Sequence, residues 1–352
     1  MPIVTDPAET RRLLDTFRKR RVALPCFCTE NPWTTEAALA ATAAAGERCG
    51  LANPPVSISF CGAYPMRTHL INYWFCDAPR LGFQALMADL KALMRADGPY
   101  GHCRVFPMLD HGQPEEDRWL LEDQLDGLAM VMFDASHWVF EENVRRTAGY
   151  VERFGERIVV EGAVAELKEA ARAGDAFPMT TPEQARRFLE QTGCDLIVPN
   201  VGTEHRAAET GLAEYHPERA RRISQAVGPR LVLHGTSCMG DAGLRSVPGD
   251  GFVKVNVWTI IEKTGAEAMV DYALRQVGNL VEQDFADGLV AEGLLAEEAV
   301  SAERVERQFG GRVGPKLSHF PLAELRDRWV GRVKGVLEGY FDMFGYARLA
   351  GG

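Results

Sequence analysis

The stretch RVFPMLDH, residues 104–111, is a nearly continuous apolar run that ends in an aspartate and a histidine. Such a run is typical of a β-strand buried on both faces, as in a parallel sheet covered by helices. Seven further runs of this kind occur along the 352-residue chain. Together, the eight predicted strands are Val22–Thr29, Pro55–Cys61, Arg104–His111, Leu128–Ser136, Arg157–Ala163, Cys194–Gly202, Arg230–Ser237 and Gly251–Thr259.

Helix-like segments separate these runs. Pro182–Thr192 follows a threonine that can cap a helix and has proline at its first position, which is typical of a helix start. The other main predicted helices are Thr34–Arg48, Leu81–Ala96, His216–Val227 and Glu262–Asp284. Strands that alternate with helices eight times predict an α/β fold, the (β/α)₈ TIM barrel. An open, doubly wound sheet stays the alternative, because a sequence pattern alone does not show that a sheet closes.

The character of the sequence changes after Gln283. Residues 284–325 are charged and helical in character, and Trp329–Phe344 has the pattern of an amphipathic helix. We therefore expect residues 1–283 to form the barrel that carries the functional site. Residues 284–352 are expected to form a C-terminal helical extension packed on that barrel.

Charge and composition exclude several classes of partner. The net charge of −10 argues against a nucleic acid or an anionic membrane as the ligand. None of the eight cysteines stands in a C-x-x-C pair, which favours free thiols in a reducing compartment. The N-terminal segment lacks the apolar stretch of a signal peptide, and we find no run typical of a transmembrane helix. These observations predict a cytoplasmic location.

Three histidines stand at or just beyond the C-terminal ends of predicted strands: His111 in MLDHG, His205 in VGTEHRA and His234 in LVLHGTS. A parallel barrel gathers the C-terminal ends of all its strands at one mouth, so these residues can meet there. Neutral imidazoles are good zinc ligands, and three ligands plus an open position are typical of a catalytic zinc site. A lone histidine is more often a structural or surface residue than a ligand, which is our interpretation of His69, His102, His216 and His319.

Six segments carry a resemblance to a known family. In order, they are LDHG (109–112), MFDASHWVFEENV (132–144), VVEGAVAEL (159–167), TTPEQARRFLEQTGCDLIVPNVGTEH (180–205), LVLHGTSC (231–238) and GFVKVNVWT (251–259). Their sequence and order resemble the class II, metal-dependent fructose-bisphosphate and tagatose-bisphosphate aldolase family. The resemblance extends from about residue 22 to 262, with weaker similarity in the final helix.

The resemblance implies a lyase that carries out reversible aldol cleavage of a ketose or ketose phosphate. His111, His205 and His234 match the three ligands of one Zn²⁺ ion per chain, and Asp110 matches the general acid. The reaction would pass through a zinc-stabilised enediolate. A bend at the end of the strand would place Asp110 near the same substrate as its neighbour. Relatives are commonly dimers or larger homo-oligomers, and a monovalent cation is a further candidate cofactor.

Gly235, Ser237, Asn256 and Thr259 match positions that bind the substrate in this family, and Asn31 falls near a family asparagine. We expect these residues to bind the substrate, together with Arg206, which departs from the family pattern. Those expected to orient the metal ligands are Asp134, His137 and Glu161, although His137 can equally cap the following helix. The proton-abstracting base of the family lies on a loop after the fifth strand, where position alone makes Glu169 the candidate, with Glu166 as a second.

The sequence also departs from the family pattern. Ala163 replaces a glutamate, Arg206 and Thr236 replace glycines, and Trp258 replaces a small or acidic residue. Arg206 can bind a phosphate or carboxylate in place of the glycine-rich cradle, or it can point to solvent or pair with a nearby glutamate. The altered pocket leaves room for a metal-dependent sugar-phosphate isomerase or epimerase. The loop after the fifth strand lacks the glycine-rich acidic signature of the family, which favours a second alternative, a non-catalytic relative that binds a sugar phosphate or a partner protein.

Overall fold

The computed structural model of the chain describes residues 2–64, 69–74, 77–166, 168–169, 178–205, 215–300 and 321–350. The chain forms two compact units. One contains residues 1–260 together with 337–352, and the other contains residues 261–336. The division of the chain at residue 283 stays a prediction.

The first unit contains a closed barrel of eight parallel strands. The bounds are Leu24–Cys28 (β1), Pro55–Phe60 (β2), Arg104–Gly112 (β3), Met130–Phe133 (β4), Val159–Ala163 (β5), Leu196–Val198 (β7), Leu231–Leu233 (β9) and Phe252–Val257 (β10). Around the barrel these strands lie in the order β1-β10-β9-β7-β5-β4-β3-β2. Pairing of Leu24 with Lys254 and of Phe27 with Val257 joins the first strand to the last. The prediction of a (β/α)₈ barrel is confirmed, and the open sheet is excluded.

Two short strands lie outside the barrel. Lys168–Glu169 (β6) pairs in parallel with Glu204–His205 (β8), and Glu169 is the register partner of His205. The prediction that the sixth barrel strand extends to Gly202 is wrong, since β7 ends at Val198. The reason is local, because Asn200 accepts a hydrogen bond from the Gly202 amide (3.0 Å) and Gly202 has φ +91°, which turns the chain.

The helices follow the strands in the predicted alternation. Their bounds are Pro7–Arg20 (α1), Pro32–Cys49 (α2), His69–Asn72 (α3), Pro79–Leu93 (α4), Phe140–Phe154 (α5), Pro182–Thr192 (α6), Pro217–Val227 (α7), Asp241–Ser246 (α8), Thr259–Arg275 (α9), Val277–Leu280 (α10), Gln283–Ala291 (α11) and Pro321–Met343 (α12). The α6 helix matches the prediction at both ends because a capping box closes its start and Gly193, with φ +67°, ends it.

The predicted continuous helix Glu262–Asp284 is wrong. Three helices replace it, with breaks at Gln276 and at Val281, whose φ of −128° and ψ of 160° are extended. The breaks turn the chain so that Val277 and Ala286 pack with Val300 in a small apolar cluster of the second unit. Tertiary packing thus overrides local helix propensity at this point.

The end of the barrel at which the strands begin is covered by α1 and by residues that follow α12. The ring of Tyr346 packs against Phe17 of α1, with centroids 5.8 Å apart, and its hydroxyl donates to the carbonyl of Pro55 at the start of β2. The amide of Ala23, just before β1, donates to the carbonyl of Phe344 (3.2 Å). This end is therefore closed by packing, and the open mouth lies at the carboxyl ends of the strands.

Two further properties bear on the sequence predictions. Of the cysteines that the structure describes, all seven are free thiols, and six of them are buried. Across the described ranges, no helix combines the length and the apolar character needed to cross a bilayer.

Candidate metal centre and active site

The end of β3 places Asp110 and His111 together. Successive residues of a regular strand point to opposite faces. Here the pairing with β4 shifts by one residue between Leu109 and Gly112, and His111 has φ +49°, in the left-handed region. This bulge lets both neighbouring side chains join one cluster, as the predicted strand-end bend requires. The Gln113 side-chain amide donates to the His111 carbonyl (2.9 Å) and stabilises the strained residue.

The His111 ring is oriented by a carboxylate. Its Nδ1 lies 2.6 Å from Asp134 Oδ2, and the other oxygen of Asp134 accepts from the Ser136 amide (3.1 Å) and hydroxyl (2.6 Å). Burial alone would raise the pKa of Asp134, but the hydrogen bonds from His111 and Ser136 hold it below its ordinary value. An ionised Asp134 fixes the hydrogen of His111 on Nδ1, so Nε2 carries the lone pair that a metal ion needs.

His234 completes a cluster with Asp110 and His111. It follows β9 directly, and its ring centroid lies 4.9 Å from that of His111 at an interplanar angle of 81°. Its Nε2 lies 3.9 Å from Asp110 Oδ1. Each of the three buried residues offers one ligand atom, and these atoms all lie within 4.8 Å of one another. The two imidazoles at this spacing suit a divalent ion such as zinc, and the carboxylate beside them can act as a ligand or as an acid next to the ion.

The backbone of His205 lies beside this cluster. A Cβ atom on Gly235, which has φ +73°, would be 2.9 Å from the backbone nitrogen of Glu204. Glycine at position 235 therefore permits β8 to approach the turn that follows His234. The Glu204 amide also points to Cys238 Sγ (3.5 Å) in that turn. The side chain of His205 lies outside what the structure describes.

A buried polar network extends from Asp110 across the barrel interior. Asn256 on β10 donates from Nδ2 to Asp110 Oδ1 (2.9 Å). Lys254, two residues earlier on the same strand, donates from Nζ to Asn256 Oδ1 and lies 3.2 Å from Glu161 Oε1 on β5. The side chains of Lys254 and Glu161 are 0% exposed. Burial raises the pKa of Glu161 to about 7, against the opposing effect of the Lys254 charge.

The second oxygen of Asp110 also has a partner. Cys28 on β1 directs its thiol toward Asp110 Oδ2 (3.4 Å), and the Ser59 hydroxyl of β2 donates to Cys28 Sγ (2.9 Å). Both oxygens of Asp110 are thus held by side chains of other strands, Asn256 of β10 and Cys28 of β1. The concave pocket above is lined by Cys28, Asp110, His234, Gly235, Thr236, Ser237, Asn256, Val257, Trp258 and Thr259.

Aromatic rings border the cluster. Tyr64 stacks on His111 with centroids 4.1 Å apart, and Trp258 lies 5.2 Å from the ring of His69. The loop that carries Tyr64 is held by Asp117, whose oxygens accept from the amides of Ala63 (2.9 Å) and Gln113 (3.0 Å). Burial raises the pKa of Asp117 to about 6. One buried carboxylate therefore joins the loop that follows β2 to the loop that follows β3.

The remaining predicted site residues fall in different places. Asn31 caps α2, with its Oδ1 accepting from the Thr34 amide (2.9 Å). His137 is exposed, and its ring packs on Trp138 at 3.6 Å. Arg206 lies outside the described residues, as does the side chain of Glu169. Gly235, Ser237, Asn256 and Thr259, by contrast, share the pocket with Asp110 and His234.

Sequence reasoning gave no role to Lys254, Cys28 or Tyr64. Lys254 could have been found from the sequence, since a lysine inside the apolar strand FVKVNV needs a buried counter-charge. Cys28 stands among apolar residues, and Tyr64 stands in a loop, so neither position gave a periodic or charge signal.

Comparison with known proteins agrees with this architecture. The family described as fructose-bisphosphate aldolase class-II matches residues 8–309. Since this match covers most of the chain, the protein belongs to the class-II fructose-bisphosphate aldolase family, whose members are aldolase-type lyases.

The individual relatives match only part of this chain or share a low sequence identity with it. The uncharacterized protein YdjI of Escherichia coli is 34% identical over 159 residues, which cover 43% of this chain and 54% of YdjI. The fructose-bisphosphate aldolase of Thermus caldophilus is 39% identical over 139 residues, 37% of this chain and 44% of that protein. The chain thus matches about half the length of these curated relatives. The crystal structure of the Campylobacter jejuni fructose-bisphosphate aldolase superimposes with a TM-score of 0.72 at 17% identity, covering 97% of this chain and 95% of that one, and this likeness concerns the fold.

Proposed function

We propose that this protein is a metal-dependent aldolase that cleaves or forms a carbon–carbon bond in a ketose, most simply a ketose phosphate. One observation carries the proposal: Asp110, His111 and His234 meet at the barrel mouth with ligand atoms within 4.8 Å of one another. Family membership supports the same reaction class. Active sites of TIM barrels lie at this end of the strands.

The residues present fit a zinc ion. His111 is oriented by Asp134 so that its Nε2 is the ligand atom, and His234 Nε2 faces the same space. We propose His205 as the third imidazole, since the close approach of Glu204 to Gly235 brings its backbone to the cluster. When bound, Zn²⁺ would supply Lewis-acid polarisation of the substrate's carbonyl oxygen.

The protein groups then have separate tasks. Asp110 is proposed to exchange a proton with the substrate oxygen at the bond that breaks, and its contacts with Asn256 and Cys28 support this role by fixing both of its oxygens. Such acid–base help is typically worth roughly 10²–10⁴-fold in rate. Ser237 and Thr259 line the same pocket and supply hydroxyl donors for the polar end of the substrate. Trp258 forms an apolar part of the pocket wall, and this restricts which substrates fit the pocket.

Some parts of the proposal rest on the sequence. Glu169 is the register partner of His205, so its backbone lies on the strand that pairs with a proposed ligand, and this supports Glu169 as the base. Arg206 is proposed to bind the phosphate or carboxylate of the substrate. The homo-oligomeric state, the bound monovalent cation and the cytoplasmic location stay predictions.

The central test is isotope exchange. The zinc-loaded protein is incubated with dihydroxyacetone phosphate in deuterated water, and exchange at C3 is followed by NMR, together with metal analysis of the protein. We expect exchange, loss of exchange on chelation, and loss of both metal and exchange in His111→Ala. His102→Ala, which changes an exposed histidine, is the matched control and should behave as the parent.

Three other outcomes would contradict the proposal in different ways. Retention of zinc by His111→Ala and His234→Ala would show that the metal site is wrongly assigned. Exchange into a ketose without cleavage or condensation would favour an isomerase or epimerase. Metal binding with no exchange into any ketose phosphate tested would favour a non-catalytic relative.

A further inference from the structure

The buried pair of Lys254 and Glu161 has no part in the proposed reaction, yet it is connected to the proposed acid. Glu161 lies on β5, Lys254 and Asn256 lie on β10, and Asp110 lies on β3. The contacts cross the barrel in that order, from the ion pair at 3.2 Å to the hydrogen bond between Asn256 and Asp110 at 2.9 Å. Burying an ion pair is costly and often gives no net stability. We therefore consider a role of this ion pair other than stabilising the fold.

The side-chain amide of Asn256 suggests such a role for Lys254. An asparagine side chain presents a donor NH₂ on one side and an acceptor oxygen on the other, and it can turn over to exchange them. The ammonium of Lys254 has three donors and no acceptor, so the atom of Asn256 that faces it must be the oxygen. The NH₂ group is then directed at Asp110 Oδ1. Without Lys254, the amide oxygen of Asn256 can face the carboxylate and repel it.

Glu161 supplies the negative charge that the buried ammonium of Lys254 needs. A lysine that is fully buried keeps its proton only when nearby negative groups compensate for lost solvation. Burial acts to lower the pKa of Lys254, but nearby acidic groups, among them Glu161 and Asp110, outweigh this effect and hold the pKa above its ordinary value. Glu161 lies within ion-pair distance, at 3.2 Å, and so supports the donor-only state of Lys254.

We propose that Lys254, with Glu161 as its counter-ion, is a positioning residue that fixes the orientation of the Asn256 amide and thereby the carboxylate of Asp110. The inference deepens the proposed aldolase function and rests on it for its kinetic consequence. Its structural part, the coupling of Lys254 to Asp110 through Asn256, stands independently of any substrate.

The decisive variant replaces the whole ion pair with apolar residues of similar size, Lys254→Met together with Glu161→Leu. Replacements of this kind are often neutral or stabilising, whereas Lys254→Met alone leaves a buried carboxylate unpaired and is expected to unfold at a lower temperature. We expect the double variant to regain the parent's thermal midpoint and zinc content. Its kcat should nevertheless fall by about tenfold to a hundredfold with KM little changed, because the loss concerns a group that acts in the chemical step.

A matched control removes an exposed ion pair, Asp271→Leu with Arg275→Met, whose side chains are 59% and 69% exposed. It should keep the parent's kcat. If the buried double variant regains stability and full turnover together, the pair has only a structural role and the inference is overturned.

If the apolar pair does not fold, two single variants ask the same question. Lys254→Arg keeps a donor-only cation opposite Asn256, whereas Lys254→Gln offers both a donor and an acceptor. Turnover per folded, zinc-loaded chain should be higher for Lys254→Arg. Equal turnover, or higher turnover for Lys254→Gln, overturns the inference.

A substrate-free measurement separates this inference from the proposed function. In the metal-free protein, unfolding free energies of the parent, Asp110→Asn, Lys254→Met and the combined variant form a double-mutant cycle. We expect Asp110→Asn to cost less stability when Lys254 is already changed. Additive effects overturn the coupling, whereas a parent without aldolase activity refutes the proposed function and leaves this cycle to decide the network.

Discussion

Replacing Asp134 with asparagine is the sharpest perturbation of the proposed metal centre. The side chain keeps its size but loses one of two acceptor oxygens, and both are in use. Oδ2 faces His111 Nδ1 at 2.6 Å, and Oδ1 accepts from the Ser136 amide and hydroxyl. In Asp134→Asn, the new NH₂ group must therefore face either the His111 ring or the Ser136 donors.

The magnitude follows from these contacts. Loss of a carboxylate that orients a ligating histidine typically weakens metal binding by roughly 10- to 100-fold. That range corresponds to about 1.4–2.8 kcal/mol of binding free energy. The metal-free protein should also lose about 1–3 kcal/mol of stability, because a buried donor is left facing another donor.

The assay is competition for Zn²⁺ against a chelator of known affinity, with thermal unfolding of the metal-free protein measured in parallel. Asp126→Asn is the matched control, because that carboxylate is 97% exposed and pairs with Arg157 at the surface. It should bind zinc as the parent does. If Asp134→Asn also binds zinc with the parent's affinity, His111 is not a metal ligand oriented by Asp134, and the assignment of the centre fails.

Two further predictions address the loops around the cluster. Gly235→Ala places a Cβ atom 2.9 Å from the backbone of Glu204 at φ +73°, so we expect a loss of at least about 1–2 kcal/mol and weaker zinc binding as β8 moves away. Gly249→Ala, which meets nothing within 4 Å, is the control, and equal effects of the two changes would show that β8 does not need this approach. For Asp117, burial raises the pKa to about 6, so between about pH 4 and pH 6 the folded state keeps a proton that the unfolded state has released. Stability due to this group is therefore greatest below about pH 4 and falls by up to about 3 kcal/mol as pH rises to about 6. Urea unfolding at several pH values should show that the unfolding free energy of the parent falls between about pH 4 and pH 6, and that this fall is missing in Asp117→Asn. If both proteins show the same pH dependence, Asp117 does not have a raised pKa in the folded state.

The closed barrel could be predicted because its signal is repeated. Each strand is buried on both faces, so each gives an apolar run such as the one that ends at His111. The positions of His111 and His234 followed from the same logic, since parallel strands end at a common mouth. The helix pattern was less reliable after residue 262, where the cluster around Val277 and Ala286 breaks the chain into three helices.

The site depended on features that no local pattern encodes. Adjacent residues of a strand alternate in direction, so only the bulge at His111 shows how Asp110 reaches the same cluster. The placement of β8 depends on a close backbone approach to Gly235, which is a contact between distant parts of the chain.

The sequence by itself determined the class of fold and a set of polar residues at the strand ends, because periodicity and strand direction are local properties of the chain. Only the tertiary structure decided which of these residues touch. Lys254 meets Glu161, and Asn256 meets Asp110, across a barrel whose strand register and closure set every such distance. Those quantities arise when all eight strands pair, and no single segment carries them.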